Sequence, residues 1–505
     1  MALMGVDIGM TGAKAVVFDL EGRPLGQGCR EYPLLHGEPG AAELDAEEVW
    51  RAVEQAIGEA ASAAPDPVEA LAFSSMGEAV VALGEDGRAL APAPTCFDTR
   101  ATPQMEALVK RIGREELYQI TAHPPHPMYT LAKLLWWREE RPEVFRRAKR
   151  YLCFQDFASM RMGAREPRIG DSLAGRTFML DARRREWSPR LLQEAGVEPE
   201  QLARPAPAAA PMAEADPRLC RRLRLKRGCL VAVGGHDQPC AALGAGVVRE
   251  GLAVYGLGTT ACVTTCYERL RLHPELLASN IPSLPHVAAG MYASLAYTLS
   301  GGSLLRWFRN HLVSPEERRK AEQAGADIYD LLVAEALQSR RPPLALPHFS
   351  GTGTPHVDPQ AKGLIYGLTL ATTRGDLFRA LLEGVGYEMR QNLDALQAAG
   401  IAVRELRATG GGSRSAPWMQ LTADLLGRPI STMRSTEGGC LATAMLAGLA
   451  VGRYRSLAEA VEACVRIANV YEPRPSEAPA YEERYALFRE LYPALRAFGP
   501  RAGWV

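Results

Sequence analysis

The sequence predicts an α/β fold in two domains, on three observations. The chain has 505 residues, too many for one ordinary hydrophobic core. Apolar runs of strand length alternate with segments of helical spacing along its length. Around residues 246–251 the pattern starts again, with a strand, a Gly-Thr turn and a second strand that repeat the layout of the N-terminus. We therefore place the division between residues 1–246 and 247–505.

Each element has a local reason. Residues 3–19 read as two strands around a Gly-Met-Thr-Gly turn, and Glu21-Gly22-Arg23-Pro24 supplies the next turn. Residues 44–63 have helical spacing, 68–74 form a short strand, and Glu85-Asp86-Gly87-Arg88 is a tight turn. Helical patterns fill residues 102–150, broken at His123-Pro124-Pro125-His126-Pro127. The Pro/Ala-rich stretch 204–217 predicts a loop, and 230–233 a buried strand opening into Gly234-Gly235-His236-Asp237. In the second half, 252–265 is another hairpin, followed by helices over 376–399, 416–426, 439–449 and 480–495.

Composition narrows the function classes. With 47% hydrophobic and 23% charged residues the chain is globular, and 58 basic residues balance 58 acidic ones. Zero net charge gives no general attraction to nucleic acid or an anionic membrane. The basic runs at 183–185 and 221–227 have no interleaved aromatics and read as solvated faces. Ten cysteines are scattered without a Cys-x-x-Cys pair, as in reduced thiols rather than a metal or redox framework. Asp7 interrupts the apolar stretch that a secretion signal needs, and no apolar run has bilayer length. The expectation is a cytoplasmic protein.

Four constellations carry chemistry. In the first hairpin, Asp7, Gly9, Thr11 and Lys14 crowd one turn. Backbone N–H groups, a hydroxyl and an ammonium there can hold phosphate, and Asp7 can hold magnesium through water. The second hairpin, Gly256-Leu257-Gly258-Thr259-Thr260, offers a similar cradle without a cation. Gly410-Gly411-Gly412-Ser413 lies between a strand and a helix, where a nucleoside can rest on bare backbone, though it is no Walker A loop. Asp237, at the end of a buried strand, is the candidate base for a hydroxyl; a helix-capping Asp is the alternative, and His236 reads as structural. Taken singly, each motif is also compatible with an ordinary turn.

Together these pieces resemble the FGGY family of carbohydrate kinases. Its first signature is similar to Met128-Tyr129-Thr130-Leu131-Ala132-Lys133-Leu134-Leu135-Trp136, departing at Trp137, where a smaller residue is usual. Its second resembles Gly363-Leu364-Ile365-Tyr366-Gly367-Leu368 with Asp376-Leu377 and Ala380-Leu381-Leu382-Glu383. Ser300-Gly301-Gly302, residues 346–359, the stretch from Thr409 to Ile430 and the closing YEERYALFRELYPAL also match, in the right order over nearly the whole chain. The resemblance implies two actin-like ATPase (ribonuclease H-like) domains with a cleft between them, the first for sugar and base, the second for nucleotide. It implies ATP and Mg2+ as cofactors, phosphate contacts at Thr11, Lys14, Gly258 and Thr259, and nucleotide contacts at Gly302, Gly411 and Gly412. Asp7 matches a magnesium-linked carboxylate and Asp237 the catalytic base.

Substrate identity is where the match weakens. Xylulokinases of this family typically show Gln-Met-His-Gly, and glycerol kinases Gln-Arg-Glu, where this chain has Ser75-Met76-Gly77-Glu78. Cys96-Phe97-Asp98-Thr99-Arg100 replaces the usual Trp-x-Asp-x-Arg segment. Met76, Glu78 and Gln238 join Asp237 as candidate substrate residues. The expected activity is phosphorylation of a hydroxyl of a small sugar, such as the ketose xylulose, or of a polyol. Alternatives are a glycerol-, erythritol- or fuculose-type kinase, or a catalytically silent sensor on the same fold. The expected partner is a small molecule, with neither nucleic acid nor membrane; dimers are common in the family, but no interface is readable here.

Overall fold

A computed structural model describes residues 1–496. The first lobe is built on a six-stranded sheet. Its strands are β1 (Ala2–Ile8), β2 (Gly12–Phe18), β3 (Pro24–Glu31), β4 (Val68–Ser75), β5 (Pro211–Glu214) and β6 (Leu230–His236), in the order β5-β6-β4-β1-β2-β3. β1, β2 and β3 form an antiparallel meander, and β4 and β6 extend it in parallel from β1. Helix α1 (Ala46–Ala63) packs on the meander. Asp45 caps α1 by accepting from the N–H groups of Glu47 and Glu48, and Val49, Val53, Ile57 and Ala60 form its buried face. Helix α2 (Thr130–Glu140) and α3 (Asp237–Gly244) complete the parts that bear on the site.

The second lobe repeats this plan. Its strands are β7 (Gly251–Leu257), β8 (Ala261–Thr265), β9 (Ser283–Pro285), β10 (Tyr292–Thr298), β11 (Val403–Thr409), β12 (Ile430–Met433) and β13 (Ile467–Tyr471), ordered β9-β10-β8-β7-β11-β12-β13. The antiparallel set β7-β8-β10 matches β1-β2-β3, and β11 and β12, parallel to β7, match β4 and β6. The repetition that the two Gly-Thr hairpins hinted at is thus a repetition of the whole sheet. Helices α4 (Gly302–Leu312), α5 (Ile328–Gln338), α6 (Arg374–Ala398), α7 (Ala416–Leu426), α8 (Gly438–Ala450) and α9 (Ala478–Arg496) follow in order.

One helix breaks the segregation. α8 belongs to the second half of the chain but packs on β1, β4 and β6 of the first sheet. Its run of small residues permits an unusually close approach. A Cβ on Gly5 would lie 1.7 Å from the Cys440 carbonyl oxygen, and one on Gly244 would lie 2.0 Å from that of Gly438. α3 and α8 therefore cross at bare backbone and join the two lobes.

Two expectations need correction. The stretch 204–217 contains strands Arg204–Ala206 and β5 rather than only loop. β5 is an edge strand, and Pro211 sits at its start opposite Ala232, where a missing N–H costs the ladder little. The buried strand also runs on past Val233 to His236. All ten cysteines are free. Among the described residues no helix is long and apolar enough to cross a membrane.

Candidate active site

The carboxyl ends of the parallel strands gather the chemistry, as expected of α/β sheets. β1 delivers Asp7, β4 runs into Met76 and Glu78, and β6 ends one residue before Asp237. In the second lobe, β7 runs into Gly258 and β11 into the glycine turn at 410–412.

Asp7 lies opposite Lys14 on β2 and Ser74 on β4. Ser74 Oγ donates to Asp7 Oδ1 at 2.7 Å. Burial nevertheless holds the Asp7 carboxyl above its ordinary pKa; the nearby Glu437 adds to the rise, while Ser74 and Lys14 oppose it. The Lys14 ammonium sits 2.7 Å from Glu437 Oε1, just before α8. Its predicted phosphate role therefore competes with a carboxylate that sequence reading did not anticipate. Thr11 is exposed at the tip of the turn, which Gly9 N–H closes by donating to Gly12 O at 2.9 Å.

Asp237 is the first residue of α3, preceded by His236, and no side chain caps that helix. The capping alternative is therefore not met. The Asp237 side chain is 31% exposed, while its Oδ1, 3.0 Å from His236 Nε2, is buried and makes no hydrogen bond. Burial, then the charges of Asp7 and Glu78, push its pKa up to about 8. His236 brings no compensating charge, because burial and the nearby Arg176 keep its imidazole neutral.

Glu78 is held in a left-handed conformation, φ 64°. Its carbonyl accepts from Thr130 Oγ1 at 3.0 Å and from Lys133 Nζ at 2.9 Å, so α2 anchors the loop. Its carboxylate is bound by Nε and Nη2 of Arg176 in a buried ion pair. Burial lowers the pKa of Lys133 to about 8. Cys96 is close enough for burial and the Glu78 charge to push its thiol up to about 12. Sequence reasoning missed Arg176, which lies in no motif and 98 positions from Glu78. Gln238 Oε1 accepts from Cys262 Sγ of β8 at 3.0 Å, tying α3 to the second lobe. Met76 is only 3% exposed and packs in the core of the first lobe, apart from the polar groups.

In the second lobe, Gly258, Thr259, Gly302, Gly411 and Gly412 all line one cavity of about 600 Å³. Gly302 N–H donates to Gly258 O at 2.8 Å and Ser303 N–H to Thr259 O at 3.1 Å, fixing the β7–β8 turn against the start of α4. A Cβ on Gly411 would meet no atom within 4 Å, and one on Gly258 nothing nearer than 3.7 Å. The protein's own packing does not demand glycine at either place; the space they leave belongs to the cavity. Arg306, Arg309, Tyr329 and Trp418 also line it and were not predicted, since arginines and aromatics at helical spacing read as ordinary helix faces.

Bare backbone, cationic side chains and aromatic surface fit a nucleotide, and oxygen donors of the Asp7 kind fit magnesium, which needs few protein ligands. Among the described residues no three His, Cys, Asp or Glu side chains converge on a common metal position.

Comparison with known proteins identifies the fold and the family. Over 502 residues the chain is 29% identical to the xylulose kinase of Escherichia coli (strain K12), covering 97% of this chain and 99% of that one. It is 27% identical to the gluconokinase of Bacillus subtilis (strain 168), covering 95% and 93%. The crystal structure of a ligand-bound xylulose kinase from Lactobacillus acidophilus superposes with a TM-score of 0.91, at 24% identity over 99% of this chain and 100% of that one. The actin-like two-lobed fold is thereby established. The N-terminal domain of the FGGY family of carbohydrate kinases matches residues 2–244 and its C-terminal domain residues 253–451. With most of its length accounted for by these two matches, the chain belongs to the FGGY family of carbohydrate kinases.

Proposed function

We propose that this kinase transfers the γ-phosphoryl group of ATP to a hydroxyl of a small sugar or polyol in the cytoplasm, with Asp237 as general base. The observation that carries the reading is the Asp237 carboxylate: partly exposed at a strand end, free of a capping role, and flanked by Asp7 and Glu78. In the reaction Asp237 orients the acceptor hydroxyl and takes its proton as the oxygen attacks phosphorus. Glu78 and Gln238 hold neighbouring hydroxyls, and Met76 supports their loop from the core. Thr11 and Lys14 from one lobe and Gly258 and Thr259 from the other hold the phosphates, while Gly302, Gly411 and Gly412 line the cavity for the nucleoside. Magnesium, held at Asp7, supplies charge neutralisation of the phosphates when bound. Residues 1–246 thus carry sugar and base, and 247–505 the nucleotide. Closing the lobes excludes water as a competing acceptor.

The relatives' names cover a ketopentose and a sugar acid, so both classes belong in the test. Coupled ADP production with ATP and magnesium is measured across ketoses, polyols and aldonates, with Asp237→Ala as control. A substrate-dependent signal lost in the variant is expected. A signal unchanged in the variant would remove Asp237 from the role of base.

A further inference from the structure

Resting on the kinase reading above, we infer that the Glu78–Arg176 pair selects an uncharged sugar or polyol against a sugar acid, which makes Arg176 a specificity-determining residue. An aldonate differs from a ketose or polyol of similar size by one carboxylate. To leave water, that carboxylate needs an uncommitted cation in the site.

The Arg176 charge acts on both Asp237 and Cys96, and that of Lys133 on Cys96. Arg176 gives Nε and Nη2 to Glu78, lies over the Tyr129 ring at 5.1 Å from its centroid, and has 4% of its side chain exposed. Lys133 is 1% exposed and its ammonium donates to the Glu78 carbonyl. Lys14, farther along β2, is paired with Glu437. The histidines on this wall add nothing: burial, and then Arg176, hold His123, His126 and His236 neutral. Facing them are the carboxylates of Asp7, Asp237 and Glu78. The site is thus rich in acceptors for hydroxyl groups, and Arg176 and Lys133 are both held by Glu78, one at its carboxylate and the other at its carbonyl.

The test uses the full-length protein with D-xylulose and D-arabinitol as neutral probes and D-xylonate and D-gluconate as acidic ones. Each is followed by ADP production and, without nucleotide, by calorimetric binding. The wild type is expected to favour the neutral probes by about tenfold or more, as like-charge juxtaposition predicts. Glu78→Gln removes one carboxylate and releases the Arg176 guanidinium, and should move the acid-to-neutral ratio up by about tenfold. Equal or better use of the aldonates by the wild type would overturn the inference, as would a Glu78→Gln protein that folds but keeps the wild-type ratio. If Glu78→Gln does not fold by circular dichroism, the wild-type ratio decides alone. Selective binding of neutral probes without any ADP production would support the selectivity and count against the kinase reading only.

Discussion

The β1–β2 and β7–β8 turns occupy equivalent places in equivalent sheets, yet they are built for different work. The first carries Asp7 and Lys14 and draws in Ser74 and Glu437, so its chemistry is that of charges held under poor hydration. The second has no charged residue; it offers backbone, a threonine and a cavity of about 600 Å³. Their packing differs as well. The first sheet packs against its own α1 and extensively against α8, supplied by the other half of the chain, whereas the second packs against its own α6 and only lightly against α3 from the first half. One topology thus yields a charged wall and a bare one, which in the proposed reaction serve the acceptor with its base and the nucleotide.

The largest effect should come from the charged wall. Asp237→Ala should lower kcat by about 10²- to 10⁴-fold, the usual worth of a general base, while calorimetry shows ATP affinity little changed. A fall in both together would mean that the walls are not separable in this way.

Glycines on the two walls should then behave oppositely. Gly5→Ala forces a methyl into the Cys440 carbonyl and should cost about 1–3 kcal/mol of stability, read as a lower thermal midpoint. Gly411→Val places its Cβ where no neighbouring atom lies within 4 Å. It should leave the thermal midpoint alone and weaken ATP binding by about tenfold, equivalent to ~1.4 kcal/mol. If Gly411→Val lowered the midpoint as Gly5→Ala does, the glycine would be structural.

Acidity sharpens the contrast further. With the Asp237 pKa near 8 in the free protein, kcat/KM should climb with pH through that value and then level off. Stability runs the other way. The folded state holds this proton more tightly than the unfolded one, so the contribution is full below the ordinary carboxylate range and is lost as pH rises through about 8. An activity profile already flat from pH 6 would remove Asp237 as the titrating base.

The smallest effect belongs to Lys14→Ala, which breaks a partly exposed pair and should cost at most about 1 kcal/mol of stability. Its KM for ATP should rise, and Lys14→Arg should restore most of it.

The sequence by itself determined both hairpins, most helices, the glycines that line the second-lobe cavity and the position of Asp237 at a strand end. Those features depend on periodicity, turn chemistry and backbone space within a few residues, which a chain carries wherever it folds. Tertiary structure alone decided which charges meet. Arg176 reaches Glu78 across 98 positions, Glu437 reaches Lys14, and α8 settles on the sheet of the other lobe. It also turned Met76 into the core and drew the proline-rich stretch into an edge strand. Ion pairing and burial depend on which distant elements pack together, and nothing within a short window of sequence encodes that choice.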